Sequence, residues 1–391
     1  MLGRYEFDEM EINSVELKVL LVTQGINVPR EELYRSLGAR NRISPPNDPF
    51  ACDCFLLPDE TVVHMVDVGP RSPFSIVLSD DETFISYKDR VITDIRFPPR
   101  SDFSQQMTSS GKPFKSMAVI QGLDVLSFHY LWPCEYAKKG YPCEFCNPGG
   151  FTHQMALAGQ PELPFPTPQD VGEVVDYAVN KEGIASYIQI TGGSTMNPQA
   201  ECHQVSEMLN CIDEMAGMKN IKGEVLVYTS PPVKPSDIDM VFEAGADRVA
   251  CDIEVWDPDL AKRITPGKIR FAGRKRQLDT LDYIAESYGA NKACSAFVVG
   301  VEPAEKFLEG AEYLASRGIV PIASIWLPHG KPVLNQTEAP GLEFYRNVIC
   351  GLAGIYEEYG VEPPGNVGFN VCLCRDAWKH RGAISRKKCS S

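Results

Sequence analysis

The sequence is short of positive charge and lacks any long apolar run. Its 391 residues include 38 Lys and Arg against 52 Asp and Glu, which gives a formal net charge of −14. Nucleic acids and anionic membranes attract basic protein surfaces, so this balance argues against both as general partners. A membrane-spanning helix needs about 18 or more consecutive apolar residues, and no such run is present. We therefore expect neither a nucleic-acid-binding protein nor a membrane protein.

The segment from Met1 to Glu9 also lacks the apolar core of an export signal, which predicts a cytoplasmic protein. Disulfides are rare in that compartment. The 13 cysteines are therefore predicted to be thiols and metal ligands rather than disulfides. A hydrophobic content of 43% is enough for a large core and more than one domain.

Three of these cysteines, Cys134, Cys143 and Cys146, fall within a single stretch of 13 residues. Eight residues separate the first two and two residues separate the last two. Prolines interrupt the stretch and prevent a continuous helix: Pro133, Pro142 and Pro148. The sequence therefore predicts a loop that can wrap around a metal centre.

The identity of the metal depends on the number of ligands. A structural zinc ion takes four protein ligands, and His129 or His153 would have to complete the set. An iron–sulfur cluster is normally held by four thiolates, so three cysteines would leave one iron open for another ligand. Three unrelated buried cysteines are the remaining alternative, because cysteine often behaves as a small hydrophobic residue.

The end of the loop, Cys143-Glu144-Phe145-Cys146, resembles the Cys-x-aromatic-Cys motif of the radical S-adenosylmethionine (SAM) superfamily. The first spacing differs, because the common loop of that family has three residues where this chain has eight. The resemblance implies that Cys134, Cys143 and Cys146 hold a [4Fe–4S] cluster whose open iron chelates SAM. It also implies cleavage of SAM to a 5′-deoxyadenosyl radical, which removes hydrogen from an unactivated carbon.

The first 110 residues have the pattern of a small accessory domain. Asn13 and Glu16 form a capping pair for a helix that runs to about Gly25, and a second helix is predicted over 30–37. Short β-rich runs follow over 61–68, 74–79, 83–87 and 90–97, which predict a small antiparallel sheet.

From residue 111 to 330 the pattern alternates between strands and helices. The predicted strands are 124–130, 186–191, 223–228, 248–255, 294–299 and 320–326. Such alternation implies parallel strands joined by right-handed crossovers. We predict an α/β protein with a partial (β/α)6 TIM-type barrel, a mixed α+β N-terminal domain, and a C-terminal helix and extension over 331–391. Barrels of this kind place their chemistry at the C-terminal ends of the strands.

The second strand ends in Gly192, Gly193 and Ser194, where glycines allow a ligand to approach the backbone. In the radical SAM family a Gly-Gly-Glu-like motif at this place binds the amino group of SAM. Ser194 replaces the acidic residue, so the resemblance implies a backbone contribution only. The alternative is an ordinary β–α turn.

The fourth strand contains Glu254, followed by Arg263 and Lys268. Glu254 has apolar neighbours and should be hydrogen-bonded, because an unpaired buried carboxylate is costly. By resemblance, Glu254 contacts the ribose or amino group of SAM, and Arg263 or Lys268 contacts its carboxylate. A charge pair on a surface turn is the alternative for the two basic residues.

The fifth strand ends around Val299, in a region similar to the family segment that packs on adenine, and Phe145 of the loop is also assigned to cofactor binding. Glu302 either belongs to this region or caps the next helix. His329, after the sixth strand, is either a substrate contact or an ordinary loop residue. Catalytic residues beyond the cofactor site are not identified.

Two Cys-x-Cys pairs lie near the two ends of the chain, Cys52 with Cys54 and Cys372 with Cys374. Together they would bind a second metal if the ends of the chain meet. Alternate residues on a strand point to opposite faces, so each pair chelates a metal only from a loop.

No Asp-x-His-x-x-Gly cobalamin signature and no Gly-rich nucleotide loop are present. The layout nevertheless resembles the cobalamin-dependent C-methyltransferases of methanogenic archaea that modify methyl-coenzyme M reductase, the glutamine Cα-methylating type in particular. That resemblance implies cobalamin as methyl carrier, a protein or peptide substrate and a low-potential electron donor. The alternatives are a radical lyase, mutase or cyclase acting on a small metabolite, and a zinc-stabilised binding protein.

Overall fold

The structure is a computed structural model, and it describes residues 2–7, 10–48, 51–79, 82–129, 131–148, 153, 157–159, 165–328, 334, 339–365 and 371–384. The N-terminal region begins with a hairpin of β1 (Arg4–Phe7) and β2 (Met10–Asn13), which the sequence analysis did not predict. Helices α1 (Ser14–Gln24) and α2 (Arg30–Leu37) follow at the predicted positions. The capping box of α1 is present, because the Asn13 side chain accepts hydrogen bonds from the Val15 and Glu16 amides at 3.0 and 3.1 Å.

The rest of the accessory region is made of short antiparallel strands. The strands are β3 (Cys54–Leu56), β4 (Val62–His64), β5 (Phe74–Ser79), β6 (Glu82–Tyr87) and β7 (Arg90–Ile95). Strands β3 and β4 form one pair, and β5, β6 and β7 form the predicted antiparallel sheet.

A seven-stranded sheet forms the core of the molecule, in the order β14-β13-β12-β11-β10-β9-β8. Its strands are β8 (Ala118–Gln121), β9 (Val125–His129), β10 (Tyr187–Thr191), β11 (Val225–Tyr228), β12 (Arg248–Ala250), β13 (Ala293–Val299) and β14 (Val320–Ile325). The six strands β9 to β14 are parallel and correspond to the six predicted strands. Strand β8 was not predicted and runs antiparallel to β9. The curled sheet is a partial TIM-type barrel.

Helices connect these strands and cover one face of the sheet. They are α3 (Glu135–Lys138), α4 (Pro168–Asp176), α5 (Pro198–Met215), α6 (Asp239–Glu243), α7 (Pro258–Ile264), α8 (Arg274–Tyr288), α9 (Ala304–Ala315) and α10 (Leu342–Tyr359). The Phe297 ring of β13 meets the Phe307 ring of α9 at 5.4 Å, which identifies the helix-facing side of the sheet. Alternate residues point to the opposite side, so Ala296 and Val298 face the barrel interior.

The two ends of the chain meet at the edge of the barrel. Helices α11 (Cys374–Lys379) and α12 (Arg381–Ile384) close the described part of the chain. Just before them, Leu373 donates to Ala323 O at 2.8 Å, so this segment pairs with β14. From the N-terminal side, Lys18 of α1 donates to Cys372 O at 3.1 Å and to Asp376 at 2.7 Å.

Cys350 on α10 is disulfide-bonded. The sequence analysis favoured thiols over disulfides, so this residue is an exception. The other described cysteines have free thiols. None of the helices in the described ranges is long and apolar enough to cross a membrane.

Candidate cluster and cofactor site

The loop with three cysteines leaves the C-terminal end of β9, as the sequence predicted. Part of the eight-residue span between Cys134 and Cys143 is helical, because α3 begins directly after Cys134. Tyr136 and Ala137 of this helix are buried. The last two cysteines enclose a tight turn, in which Cys146 N donates to Cys143 O at 3.0 Å. All three thiols are partly exposed.

Cys143 is the centre of a charged neighbourhood. Burial raises the pKa of its thiol well above the usual value, and Cys146, Glu254 and Cys134 raise it further, whereas Lys268 lowers it. The pKa of the Cys143 thiol is therefore shifted by both other cysteines of the loop and by Glu254 and Lys268. Metal binding requires the thiolate, so iron uptake at this site should release protons.

The three thiols fit an iron–sulfur cluster by their chemistry, because thiolates are its usual ligands. Among the described residues, no three His, Cys, Asp or Glu side chains lie close enough together to hold one metal ion. Sulfurs around a single zinc ion would be about 3.8 Å apart, given Zn–S bonds of about 2.3 Å in a tetrahedron. A [4Fe–4S] cluster instead attaches each cysteine to a different iron. Of the two proposed zinc ligands, His153 has its Nδ1 3.1 Å from Ala137 O, and the side chain of His129 is outside the described residues.

The two glycines after β10 are required by the cysteine loop itself. A Cβ on Gly193 would lie 2.2 Å from Cys134 N, and a Cβ on Gly192 would lie 2.1 Å from the Trp132 ring. The sequence analysis attributed these glycines to the approach of a ligand. In the structure, the chain's own loop occupies that space. Ser194 takes part through its carbonyl, which accepts a 2.8 Å hydrogen bond from Glu135 N.

Glu254 and Lys268 form an ion pair of 2.7 Å next to the loop. Burial raises the pKa of Glu254 to about 7, against the opposing effect of Lys268. Burial alone would lower the pKa of Lys268, but the Glu254 and Asp252 carboxylates raise it and keep the ammonium charged. Lys268 was predicted to contact the carboxylate of SAM. In the structure its ammonium donates to Glu254 Oε1 at 2.7 Å and to Asp252 O at 3.0 Å, and the contact with the SAM carboxylate stays a prediction.

Glu254 has a backbone conformation that side chains rarely adopt, with φ of +67°. Its amide donates to Ala296 O at 2.8 Å and its carbonyl accepts from Val298 N at 2.9 Å, so β13 holds it in place. This conformation ends the regular strand at Ala250, where the sequence analysis continued it to residue 255. Strain of this kind persists only where the surrounding structure enforces it and is frequent at functional sites.

Asp252 belongs to the same site and was not identified from the sequence as a site residue. Its Oδ1 accepts a hydrogen bond from Ala296 N at 2.9 Å, and burial raises the pKa of its carboxyl group. A signal was present in the sequence, because Asp252 lies two residues before Glu254. Residues two apart on a strand point to the same face.

Phe145 packs beside a small apolar cluster, whose buried members are Val255, Ala261, Ile264, Val301 and Trp326. Val298 also packs against this cluster, whereas Val299 is buried in the main core. Val299 had been predicted as the cofactor-binding residue. It faces the helices, because it lies two residues from Phe297, so Val298 is the residue of β13 that lies on the side of the site.

Of three other residues singled out in the sequence, two lie apart from the site and one is not described. Arg263 is exposed on α7 and has no ion pair or hydrogen bond within the described residues. Glu302 accepts from the Trp256 and Asp257 amides, each at 2.9 Å, so it caps the start of α7 rather than the next helix along the chain. His329 lies outside the described residues.

The two Cys-x-Cys pairs have separate surroundings. Cys54 Sγ lies 3.4 Å from Gly122 O, whereas Cys372 Sγ lies 3.1 Å from the Ser324 hydroxyl. The ends of the chain do meet, but at Lys18 rather than at Cys52 and Cys54. The described structure therefore gives no support to a second metal site shared by the four cysteines.

The sequence matches a family model described as the radical SAM superfamily over residues 140–330. This range contains Cys143, Cys146, both glycines and the Glu254–Lys268 pair, and it begins after Cys134. The bacteriochlorophyllide c C-7(1)-hydroxylase of Chlorobaculum limnaeum is 23% identical over 264 residues. The alignment covers 64% of this chain and 64% of the hydroxylase, slightly less than two thirds of its length.

Solved structures of similar fold include methylornithine synthase, with 13% identity, a TM-score of 0.45 and coverage of 65% of this chain and 69% of that one. A radical SAM methyltransferase from Sphaerobacter thermophilus has 15% identity, a TM-score of 0.43 and coverage of 75% and 77%. Residues 140–330, just under half of the chain, are therefore similar to the radical SAM superfamily.

Proposed function

We propose that Cys134, Cys143 and Cys146 hold the catalytic [4Fe–4S] cluster of this radical SAM enzyme. The observation that carries the proposal is the convergence of the loop with the Glu254–Lys268 pair at the C-terminal edge of the barrel, where Cys143 interacts with all of these groups. A bound cluster with SAM supplies a 5′-deoxyadenosyl radical for hydrogen abstraction.

The chain's own residues position and shield this chemistry. Glu254 is held by Lys268 and by β13, so it offers a fixed acceptor at the mouth of the barrel. Phe145, Val298 and Trp326 provide an apolar wall on the same side. Exclusion of water protects a reactive intermediate from side reactions.

For the reaction that follows abstraction, we propose C-methylation of an unactivated carbon, with cobalamin as methyl carrier. The support is the layout of the chain, with its extended cysteine loop, accessory domain and short C-terminal extension. A protein or peptide substrate is part of this proposal, with the glutamine Cα of methyl-coenzyme M reductase as the specific target. A low-potential electron donor is required, and a reducing compartment such as the cytoplasm suits thiolate ligands.

A second candidate is hydroxylation of a carbon, favoured by the 23% identity to a hydroxylase over 264 residues. The relative's name gives bacteriochlorophyllide c as its substrate. For this chain, the proposal would be limited to the reaction type, in which a C–H bond is replaced by C–OH with water as the oxygen source and two electrons are removed from the substrate.

Product stoichiometry separates these reactions. Methylation consumes a second SAM, so it yields S-adenosylhomocysteine together with 5′-deoxyadenosine and requires added cobalamin. Hydroxylation yields 5′-deoxyadenosine without S-adenosylhomocysteine and incorporates ¹⁸O from labelled water. A lyase, mutase or cyclase yields neither S-adenosylhomocysteine nor labelled oxygen. Reconstituted protein with no 5′-deoxyadenosine from SAM and a reductant would contradict the radical function itself.

A further inference from the structure

Cys134 is the cysteine that the loop constrains least by itself. Cys143 and Cys146 share one turn, but eight residues separate Cys134 from Cys143. A longer loop costs more entropy to close, so other contacts must fix Cys134 if the site is formed before the metal binds. A ring of hydrogen bonds around Cys134 provides such contacts.

The first part of the ring is Trp132, two residues before Cys134. Its indole Nε1 donates to Gly193 O at 2.6 Å, while its carbonyl accepts from Gly193 N at 2.9 Å. Trp132 is buried, so its orientation is fixed by these hydrogen bonds.

The second part is Glu201, in the first turn of α5. It is only 5% exposed, and its Oε2 accepts from Ser230 N at 3.0 Å. The Ser230 hydroxyl in turn accepts from Thr195 N at 3.1 Å. No Lys or Arg among the described residues pairs with Glu201, so hydrogen bonds rather than an ion pair hold this carboxyl group.

The third part is Glu135, directly after Cys134. Its amide donates to Ser194 O at 2.8 Å, and its Oε2 accepts from the Thr195 hydroxyl at 2.9 Å and from Met196 N. The ring therefore consists of the hydrogen bonds that run from Glu201 through Ser230 and Thr195 to Glu135, after Cys134, and of those between Trp132 and Gly193, before it. It holds the chain on both sides of Cys134.

We propose that Glu201 and Glu135 are positioning residues that hold Cys134 in its ligand position before iron is bound. The inference rests on the proposed cluster at Cys134, Cys143 and Cys146. A site organised in advance retains its metal better, because little conformational entropy is lost when the metal binds.

The test compares iron retention in anaerobically reconstituted full-length protein. The variants are Glu201→Ala, Glu201→Gln and Glu135→Ala, with Glu207→Ala as a control on an exposed part of α5. Loss of the cluster is followed by visible absorbance after addition of an iron chelator. We expect the cluster to be lost about 10-fold faster from Glu201→Ala and Glu135→Ala than from the wild type. Each substitution leaves hydrogen-bond donors without their acceptor, which has a cost of this order.

Glu201→Gln should retain the cluster nearly as well as the wild type, because an amide oxygen still accepts from Ser230 N. A general structural defect would not be rescued in this way. The electron paramagnetic resonance signal of the reduced cluster should broaden in the two alanine variants and stay unchanged in the control. If Glu201→Ala does not fold, Glu135→Ala and Ser230→Ala test the same ring.

Wild-type rates in the alanine variants, or equal losses in Glu201→Gln and Glu201→Ala, would overturn the inference and leave the proposed function intact. Wild-type protein that binds no iron would instead overturn the proposed function.

Discussion

Glu201 should give the metal-free protein a distinctive dependence on pH. Burial raises the pKa of this carboxyl group from 4.5 to about 8, and its hydrogen bond from Ser230 only reduces the shift. A raised pKa in the folded state stabilises the fold below the unfolded value, and this stabilisation is lost as the pH rises through the folded value.

We therefore expect the melting temperature of the wild type to fall relative to that of Glu201→Gln between about pH 5 and about pH 8, because the amide cannot ionise. Thermal unfolding of both proteins across this range is the measurement. A constant difference between them would show that Glu201 does not ionise in this range in the folded protein.

Gly193 is the residue at which an added methyl group should disturb the position of Cys134 most. Its Cβ would lie 2.2 Å from Cys134 N and 2.4 Å from Cys134 Cα, and a backbone cannot move aside as a flexible side chain can. We expect Gly193→Ala to lose most of the cluster and to be less stable by about 1–3 kcal/mol, the usual cost of overpacking.

The matched control is Gly341→Ala, where a Cβ would meet nothing within 4 Å and the backbone has φ of −68°. Iron content and urea unfolding of both variants check the prediction. Iron binding by Gly193→Ala at the wild-type level would mean that the close packing against Cys134 is not needed.

At the level of single residues, the sequence was most informative where chemistry has a fixed spacing. The three cysteines and the double glycine could be located from their motif. Trp132, Glu135 and Glu201 could not, because their roles depend on hydrogen bonds between segments that are up to 61 positions apart, as Gly193 is from Trp132. The pairing of Lys268 with Glu254 could not be read from the sequence either, because it depends on how α7 and the following turn fold back.

Among the elements, α3 and the π-helical turn Lys268–Ala272 explain how the long loop is accommodated. Phe271 of the turn contacts Tyr136 at 5.0 Å and Tyr141 at 5.5 Å between ring centroids. A Cβ on Gly267 would lie 2.5 Å from Tyr141 O, so this turn and the loop are in direct contact. The extra residues of the loop are thus packed against the barrel.

We expect Phe271→Ala to lower stability by about 1–3 kcal/mol, as two ring contacts are lost, and to reduce iron retention as well. Phe242→Ala is the control, because Phe242 stacks on Tyr288 at 3.9 Å away from the loop. The control should lose stability without losing iron. Equal iron retention in both variants would show that the aromatic contacts do not support the site.

The alternation of strands and helices predicted six elements of the sheet, but it missed β8 and overextended β12. Strand β8 has only four residues and follows irregular chain, so its sequence carries little periodic signal. Strand β12 ends at Ala250 because the backbone turns before Glu254, and an apolar pattern does not reveal a positive φ.

In the whole molecule, α1 joins the accessory region to the barrel. All residues from Ser14 to Thr23 are buried, and the helix contacts β4, β14 and α10. Lys18 is central to this junction, with its side chain 5% exposed and its partner Asp376 at 12%. Sequence reasoning read α1 as a helix, but the meeting of positions 18 and 376 depends on tertiary packing.

We expect Lys18→Met to destabilise the protein by about 3–5 kcal/mol, because Asp376 is left as a buried charge without its partner. The double variant Lys18→Met/Asp376→Leu should recover more than half of this loss, since both charges are then removed. Urea unfolding of the three proteins is the measurement. A double variant as unstable as the single one would show that the ion pair does not account for the loss.

The central claim is that one cluster is held by Cys134, Cys143 and Cys146 and cleaves SAM. It is tested most directly by iron content and 5′-deoxyadenosine formation after anaerobic reconstitution, in the wild type and in a variant with all three cysteines replaced by alanine. The account predicts about four iron atoms per chain and 5′-deoxyadenosine for the wild type, and neither for the variant. Iron and product retained by the variant, or absent from the wild type, would contradict it.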